Sequence, residues 1–406
     1  MSHSAFGLPH PTLTPGLSES PSDATPTSFY GILPVGVRLG ASDHFRGQGV
    51  TIAFLDSGFA AHPDLDGRIK LYVDASTADT RELEAVEQNG ILSWHGMMTS
   101  VMACGDGSLA DGYYKGIASA AQLVLIRVSD LKGRIREQGI ERGLRWLRLN
   151  AQRYGIKIVN ISLGGDKRRD TPKNPVDGLV DSLTAQGILV VCASGNSGQP
   201  WLVPPASAES ALTVGGLDDK NTIDRTMSEL WHSNYGQTHL GVWKPEVVAP
   251  SIWLAAPVLP QSGVAQEAAI LQKLLNASPE ELPALLATMG PLPYTRLPPD
   301  LATLPITAAY ELLRQAWLGQ KLITPHYQHV DGTSFAAPIV SSVAAQMLEA
   351  NPGLRPAGLK DLIMRTAHYL PNVSPDQQGH GVINPKGAVE AALATITQTY
   401  TQPVSV

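Results

Sequence analysis

The chain has 406 residues, 43% of them hydrophobic and 16% charged, with a formal net charge of -6 at pH 7 and a pI near 6.0. That length holds one large α/β domain or two modest ones around a well-buried core, and the acidic balance offers no footprint for nucleic acid. Its two cysteines, Cys104 and Cys192, lie inside apolar runs, which argues against a disulfide framework and allows a reducing compartment.

Residues 1–28 are dominated by Ser, Pro, Thr and Gly and lack the basic and apolar regions of a secretory leader, so they read as a flexible arm. No apolar run reaches the roughly 18 residues needed to cross a bilayer. The expectation is a cytoplasmic protein without a membrane span. From residue 50 onward, short β-branched runs alternate with helical patterns, the signature of a doubly wound α/β fold with a mostly parallel central sheet and helices on both faces. The clearest strands are 50–55, 123–128, 156–161 and 187–192. Between the second and third, residues 137–153 space Ile140, Leu144, Leu147 and Ala151 as one apolar stripe of an amphipathic helix. After Val247-Val248-Ala249-Pro250 the alternation stops, and residues of about 252–328 carry helical patterns in Pro-rich connections: 265–275, a second opened by Ser278-Pro279-Glu280-Glu281, and 308–318. Ser278 with Glu281 fits a capping box with Pro279 at the first helical position. One domain over 29–393 interrupted by a helical insertion, with 394–406 as a tail, is the expected organisation. Residues 336–350 are apolar and small on nearly every turn and predict a buried helix.

Four segments carry chemistry-bearing side chains. Ser334, in Gly332-Thr333-Ser334, falls in the first turn of that buried helix, where free N–H groups and the positive end of the dipole favour developing negative charge. Asp56 leaves the carboxyl end of the run 50–55, the place where ligand chemistry collects in open α/β sheets. His95 opens the small and apolar segment 97–103. Asn196, in Ala193-Ser194-Gly195-Asn196-Ser197-Gly198, follows the strand 187–192, where its amide could donate to an oxyanion. Taken singly, these are an ordinary helix cap, a turn cap, a structural histidine and a turn.

Together, in the order Asp, His, Asn, Ser, they resemble the subtilisin-like serine peptidases. The resemblance rests on Ile52-Ala53-Phe54-Leu55-Asp56-Ser57-Gly58, His62-Pro63-Asp64-Leu65, His95-Gly96, Asn160-Ile161-Ser162-Leu163-Gly164-Gly165, Ser194-Gly195-Asn196, Lys244-Pro245-Glu246-Val247-Val248-Ala249-Pro250 and Gly332-Thr333-Ser334-Phe335-Ala336-Ala337-Pro338, with Gly379-His380-Gly381-Val382-Ile383-Asn384 in the tail. It implies a serine endopeptidase with an Asp56-His95-Ser334 triad and Asn196 as oxyanion donor. It also implies an extended peptide or protein substrate paired between Ser162-Leu163-Gly164 and Gly133-Arg134-Ile135, with the first of these segments and Ala193-Ser194-Gly195 lining the main specificity pocket and the bulk of residues 201–206 restricting it where the family closes that pocket. No cofactor is required. A structural calcium ion is conceivable at Asp64, Asp106 and Asp111, although no dense carboxylate run supports one and no metal ligand is assigned.

Departures from the family pattern are Met97-Met98 after the histidine and Val101 where a small residue is usual. Only some 40 residues precede the matching region, so folding without a cleaved pro-domain is expected. Asn196 and Ser334 lie 138 residues apart, roughly twice the family's need, and the insertion accounts for the excess. Its placement suggests a lid or a surface for a protein partner. Lys167-Arg168-Arg169 reads as a solvated loop that could favour acidic residues upstream of the cut. Two other functions fit the same residues: a leader peptidase or transpeptidase of a peptide natural-product pathway, and a catalytically silent regulatory binding protein.

Overall fold

The computed structural model describes residues 31–86, 93–130, 132–165, 174–290, 292 and 294–401, with side chains through residue 396. The arm 1–28 and the run Lys167-Arg168-Arg169 lie outside the described residues. Among the described residues the main sheet has nine strands. Its path runs Val247–Pro250, Leu212–Asp218, Leu189–Ala193, Ile156–Ile161, Thr51–Asp56, Gln122–Arg127, Ile69–Asp74, Arg81–Leu83, and Glu229–Leu230 branches from Leu212–Asp218. Every pairing along the path is parallel except that of Arg81–Leu83, and the branch is antiparallel.

The central strand shows why so apolar a run is strand and not helix. Ile52 and Phe54 join one core cluster and Ala53 and Leu55 the other, so the period of two feeds both faces of the sheet. On the first face lie the helices Trp94–Cys104 and Thr333–Ala350; on the second lie Glu137–Asn150 and Pro175–Ala185. Thr333–Ala350 is buried almost all round, and its alanines and serines let it pass close to the sheet. Met97, Met98 and Val101 are buried in this first core, behind the histidine.

Chain order fixes where a ligand can lie. From Thr51–Asp56 the chain goes to Ile69–Asp74 on one side, returns through Gln122–Arg127, and then crosses to Ile156–Ile161 on the other. The order reverses between Thr51–Asp56 and Ile156–Ile161, and the crevice outside their carboxyl ends is the binding position of open α/β sheets.

The segment after Pro250 is not helical from end to end. It opens with the strand Leu254–Pro257 and closes with Tyr327–Val330, which pair antiparallel as a two-stranded ribbon. Between them Gly263–Leu275, Leu282–Met289 and Ile306–Gly319 enclose their own core around Leu271, Leu274, Leu313 and Trp317. Ser278 and Glu281 exchange the expected capping-box bonds at 3.1 and 3.3 Å, yet the helix begins later, at Leu282. At the carboxyl end the region expected as a tail is helical as far as Thr401, because Ala388, Val389 and Ala392 anchor the helix Pro385–Thr401 in the first core. Among the described residues no helix is long and apolar enough to cross a membrane.

Candidate active site

Asp56 ends the central strand, fully buried, and its carboxylate is consumed by three donors. Ser57 N donates to Oδ1 at 2.6 Å, Thr99 Oγ1 to Oδ2 at 3.1 Å, and His95 Nδ1 lies 2.7 Å from Oδ1. A glycine makes this approach possible. A Cβ at Gly96 would stand 2.2 Å from the carbonyl oxygen of Gly58, so only glycine lets the histidine helix meet the strand end closely enough for the pair. His95 lies in the first turn of Trp94–Cys104, its side chain 20% exposed. Burial disfavours its charged form, but the Asp56 charge and hydrogen bond outweigh that, and the imidazole's pKa is raised above the usual 6.5.

Ser334 enters from the other side of the crevice. It is the second residue of Thr333–Ala350, so its backbone N–H belongs to the free donors of a helix start. The next residue, Phe335, holds its ring centroid 5.8 Å from that of His95, which puts Ser334 and the imidazole in one cleft. Ser334 Oγ donates to the carbonyl oxygen of Ser162 at 3.1 Å instead of to His95. Asn196 completes the set. Its Oδ1 accepts from both Thr333 N at 3.0 Å and Thr333 Oγ1 at 2.6 Å, which turns Nδ2 toward Gly332, where a Cβ would stand 3.2 Å from it. Gly332 itself has φ 129°, a backbone conformation open to glycine and strained for other residues. The loop 195–199 is organised by Asn234, whose Oδ1 accepts from Ser197 N at 2.9 Å and Ser197 Oγ at 2.8 Å.

The expected substrate-binding residues divide. Ser162, Leu163 and Gly164 leave the carboxyl end of Ile156–Ile161 beside Ser334, and Ala193, Ser194 and Gly195 leave the adjacent strand, so both expected walls border the cleft. Val203 packs against the first of these walls: a Cβ at Gly164 would stand 2.9 Å from Val203 Cγ2. Gly133-Arg134-Ile135 does not form an extended edge. Asp130 folds the segment into a turn, since Gly133 N donates to Asp130 O at 2.9 Å, Arg134 N to Asp130 Oδ1 at 2.9 Å, and Asp130 N to Arg134 O at 3.0 Å. The N–H groups of Gly133 and Arg134 are therefore already used, while Ile135 packs on the second core.

Asp64, considered above as a calcium ligand, is held instead by protein donors. Tyr327 Oη donates to its Oδ2 at 2.5 Å, and Ser108 Oγ and Leu109 N donate to its Oδ1 at 2.9 and 3.3 Å. Tyr327 belongs to the ribbon of the insertion, so this carboxylate ties insertion to catalytic body. Asp106 and Asp111 are exposed nearby.

Sequence reasoning passed over several of these residues. Thr99 stands four residues after His95, on the same helix face, and that spacing was a usable signal. Thr333 and Asn160 stand inside the motifs, but no local pattern gives either a role. Asn234 carried no local signal.

The model of the subtilase family (peptidase S8) matches residues 47–381. Serine protease AprX of Bacillus subtilis is 28% identical over 353 residues, covering 84% of this chain and 66% of AprX. Subtilisin BL of Lederbergia lenta is 30% identical over 207 residues, 51% of this chain and 65% of that protein. The crystal structure of fervidolysin from Fervidobacterium pennivorans, a keratinolytic enzyme related to subtilisin, superposes with a TM-score of 0.59 at 18% identity, over 90% of this chain and 47% of that one. The chain spans less than two thirds of the length of each of these three. The family match nevertheless runs from just before the central strand to beyond the helix Thr333–Ala350, and by it the chain belongs to the subtilase family.

Proposed function

We propose that this chain is a serine endopeptidase that hydrolyses peptide bonds through an acyl-enzyme on Ser334. The observation that carries the reading is the Asp56–His95 pair at 2.7 Å, set at the sheet's reversal point and facing a serine at the second position of a buried helix. Ser334 Oγ leaves the Ser162 carbonyl by a change of rotamer, gives its proton to His95 Nε2 and attacks the substrate carbonyl. Asp56 holds the Nδ1–H tautomer and stabilises the imidazolium without taking the proton. The oxyanion is received by Ser334 N–H and Asn196 Nδ2. His95 then protonates the leaving amine, and water resolves the ester by the same steps in reverse. These groups supply nucleophile, base, charge and oxyanion donors without a cofactor. The substrate pairs along Ser162-Leu163-Gly164, and Val203 restricts the neighbouring pocket to small side chains.

The insertion governs access to the leaving-group side in this reading. Support comes from its exit and return points: Gly332 N donates to Ser251 O at 2.7 Å, so both ends meet two residues before Ser334. The paired reading of a reducing, cytoplasmic setting is supported by Cys104 and Cys192, which are free and buried, the former pushed by burial to a pKa of about 12. The primary test is labelling by a fluorophosphonate probe, mapped by peptide mass spectrometry. Label on Ser334 that disappears in Ser334→Ala, with peptide turnover lost in parallel, supports the proposal; label elsewhere, or none, overturns it. Product masses separate hydrolysis from transfer to an amine. Replacing residues 260–325 by a short turn should alter substrate choice, and unchanged rates on peptides and folded proteins would refute the role given to the insertion.

A further inference from the structure

The nucleophile helix contains a proline where it should not be neutral. In a regular helix the carbonyl of Ser334 accepts the N–H of residue 338. That residue is Pro338, which has no N–H and whose ring crowds the carbonyl four residues back. The orphaned acceptor is the carbonyl of the nucleophile itself. In the structure it accepts from Ser162 Oγ at 2.7 Å. Ser162 is 3% exposed, and its hydroxyl is oriented in turn: Asn160 Nδ2 donates to Ser162 Oγ at 2.9 Å, and Asn160 Oδ1 accepts from Ser341 Oγ at 3.0 Å. Asn160 and Ser341 are fully buried. The chain of hydrogen bonds thus starts on the nucleophile helix at Ser341, crosses the strand Ile156–Ile161 through Asn160, and returns to the same helix at Ser334.

We infer that Ser162 is a positioning residue whose hydroxyl replaces the helix N–H removed by Pro338 and thereby sets the first turn that carries Ser334. The inference rests on the peptidase reading above and deepens it. Two consequences follow from the geometry. The nucleophile's turn is fastened to the substrate-binding edge and not to its own helix, so edge and nucleophile keep one relative position. The pair is also reciprocal, because Ser334 Oγ donates to the carbonyl of Ser162. A substrate N–H that takes this carbonyl displaces Ser334 Oγ while the Ser162 hydroxyl holds the backbone still, freeing the nucleophile to turn to His95.

The test is a double-mutant cycle, which isolates a pairwise dependence from general damage. Ser162→Ala, Pro338→Ala and the double variant are compared with the parent protein on a chromogenic peptide, with thermal midpoints measured for all four. Ser162→Ala should lower kcat roughly tenfold, the scale of one lost hydrogen bond, with KM little changed because the Ser162 backbone carbonyl remains. Pro338→Ala restores a backbone donor at position 338, and its own kcat is the reference for the double variant. In that background the Ser162→Ala loss should shrink to about twofold or less, while Ser162→Thr in the parent background should restore most of kcat. An equal loss in both backgrounds, or no loss in either, overturns the inference. Should Ser162→Ala not fold, Ser341→Ala unhooks Asn160 without touching the cleft. A fall in kcat then supports the relay, and parental kcat refutes it. Fluorophosphonate labelling of the parent at Ser334 keeps the two readings apart: absent label sinks the peptidase assignment, whereas normal label with a flat cycle sinks only the role of Ser162.

Discussion

Replacing Asp56 by Asn removes one charge while the site keeps most of its geometry, and the structure says how. Oδ1 accepts from Ser57 N and faces His95 Nδ1, so an amide oxygen is required there. Oδ2 faces Thr99 Oγ1, which already has Gly96 O at 3.1 Å as an alternative acceptor for its proton and can receive the new NH2. The histidine tautomer is therefore retained, and what disappears is the attraction between carboxylate and imidazolium. At about 4 Å and an effective dielectric near 20 that attraction is about 4 kcal/mol, or roughly a thousandfold in kcat at 1.36 kcal/mol per decade. The acid limb supplies the sign. In the parent, His95 must lose its proton to act as base, and its raised pKa places the half-rise of kcat/KM above pH 6.5. Without Asp56 only burial remains, and burial favours the neutral ring, so the limb moves to lower pH. Peptide hydrolysis measured from pH 5 to 9 on both proteins checks both numbers. A loss under tenfold, or a limb that does not move down, would refute the reasoning.

Other consequences are as direct. Thr333→Val removes the 2.6 Å bond that orients Asn196, and should lower kcat several-fold with KM unchanged, while Asn196→Ala should cost about 10² to 10³, the figure measured in subtilisin itself; steady-state kinetics decide. Val203→Gly should open the pocket beside Gly164 and raise kcat/KM for large residues before the cut relative to alanine, read from a peptide library; an unchanged preference would place the pocket elsewhere. Asp177 is partly buried with Oδ1 unpartnered, and burial raises its pKa to about 6. Since the folded state prefers the protonated form, this group's penalty is absent well below pH 3.8, builds up between pH 3.8 and about 6, and is constant above that. Asp177→Asn should therefore raise Tm at pH 8 and leave it unchanged at pH 3, with an upper bound of about 3 kcal/mol.

What could be read from the residues follows from how locally each feature is determined. The central strand declares itself because Ile52 to Leu55 feed two cores at once, and the nucleophile helix because its small residues admit no polar face. Asp56, His95, Asn196 and Ser334 stood out as candidates because each sits at the end of such an element. The misassigned edge at Gly133-Arg134-Ile135 shows the limit. Asp130, three residues earlier, decides whether those amides point to a substrate or back into a turn, and composition does not reveal that choice. Asp64 is similar: its partner Tyr327 lies 263 residues away, and nothing near the carboxylate announces a phenol. Ile69–Asp74 and Leu212–Asp218 also belong to the sheet, although their runs are interrupted by Lys70 or by paired glycines.

The ribbon Leu254–Pro257 with Tyr327–Val330 has an evolutionary meaning. Its ladder, and the Gly332–Ser251 bond below it, close the chain upon itself before anything beyond begins. The entropy of such a closure grows only logarithmically with the length it encloses, about 0.6 kcal/mol for each doubling. A lineage can therefore lengthen, shorten or exchange the enclosed cassette at little entropic cost while the stem below it, and the way the chain returns to Ser334, stay the same.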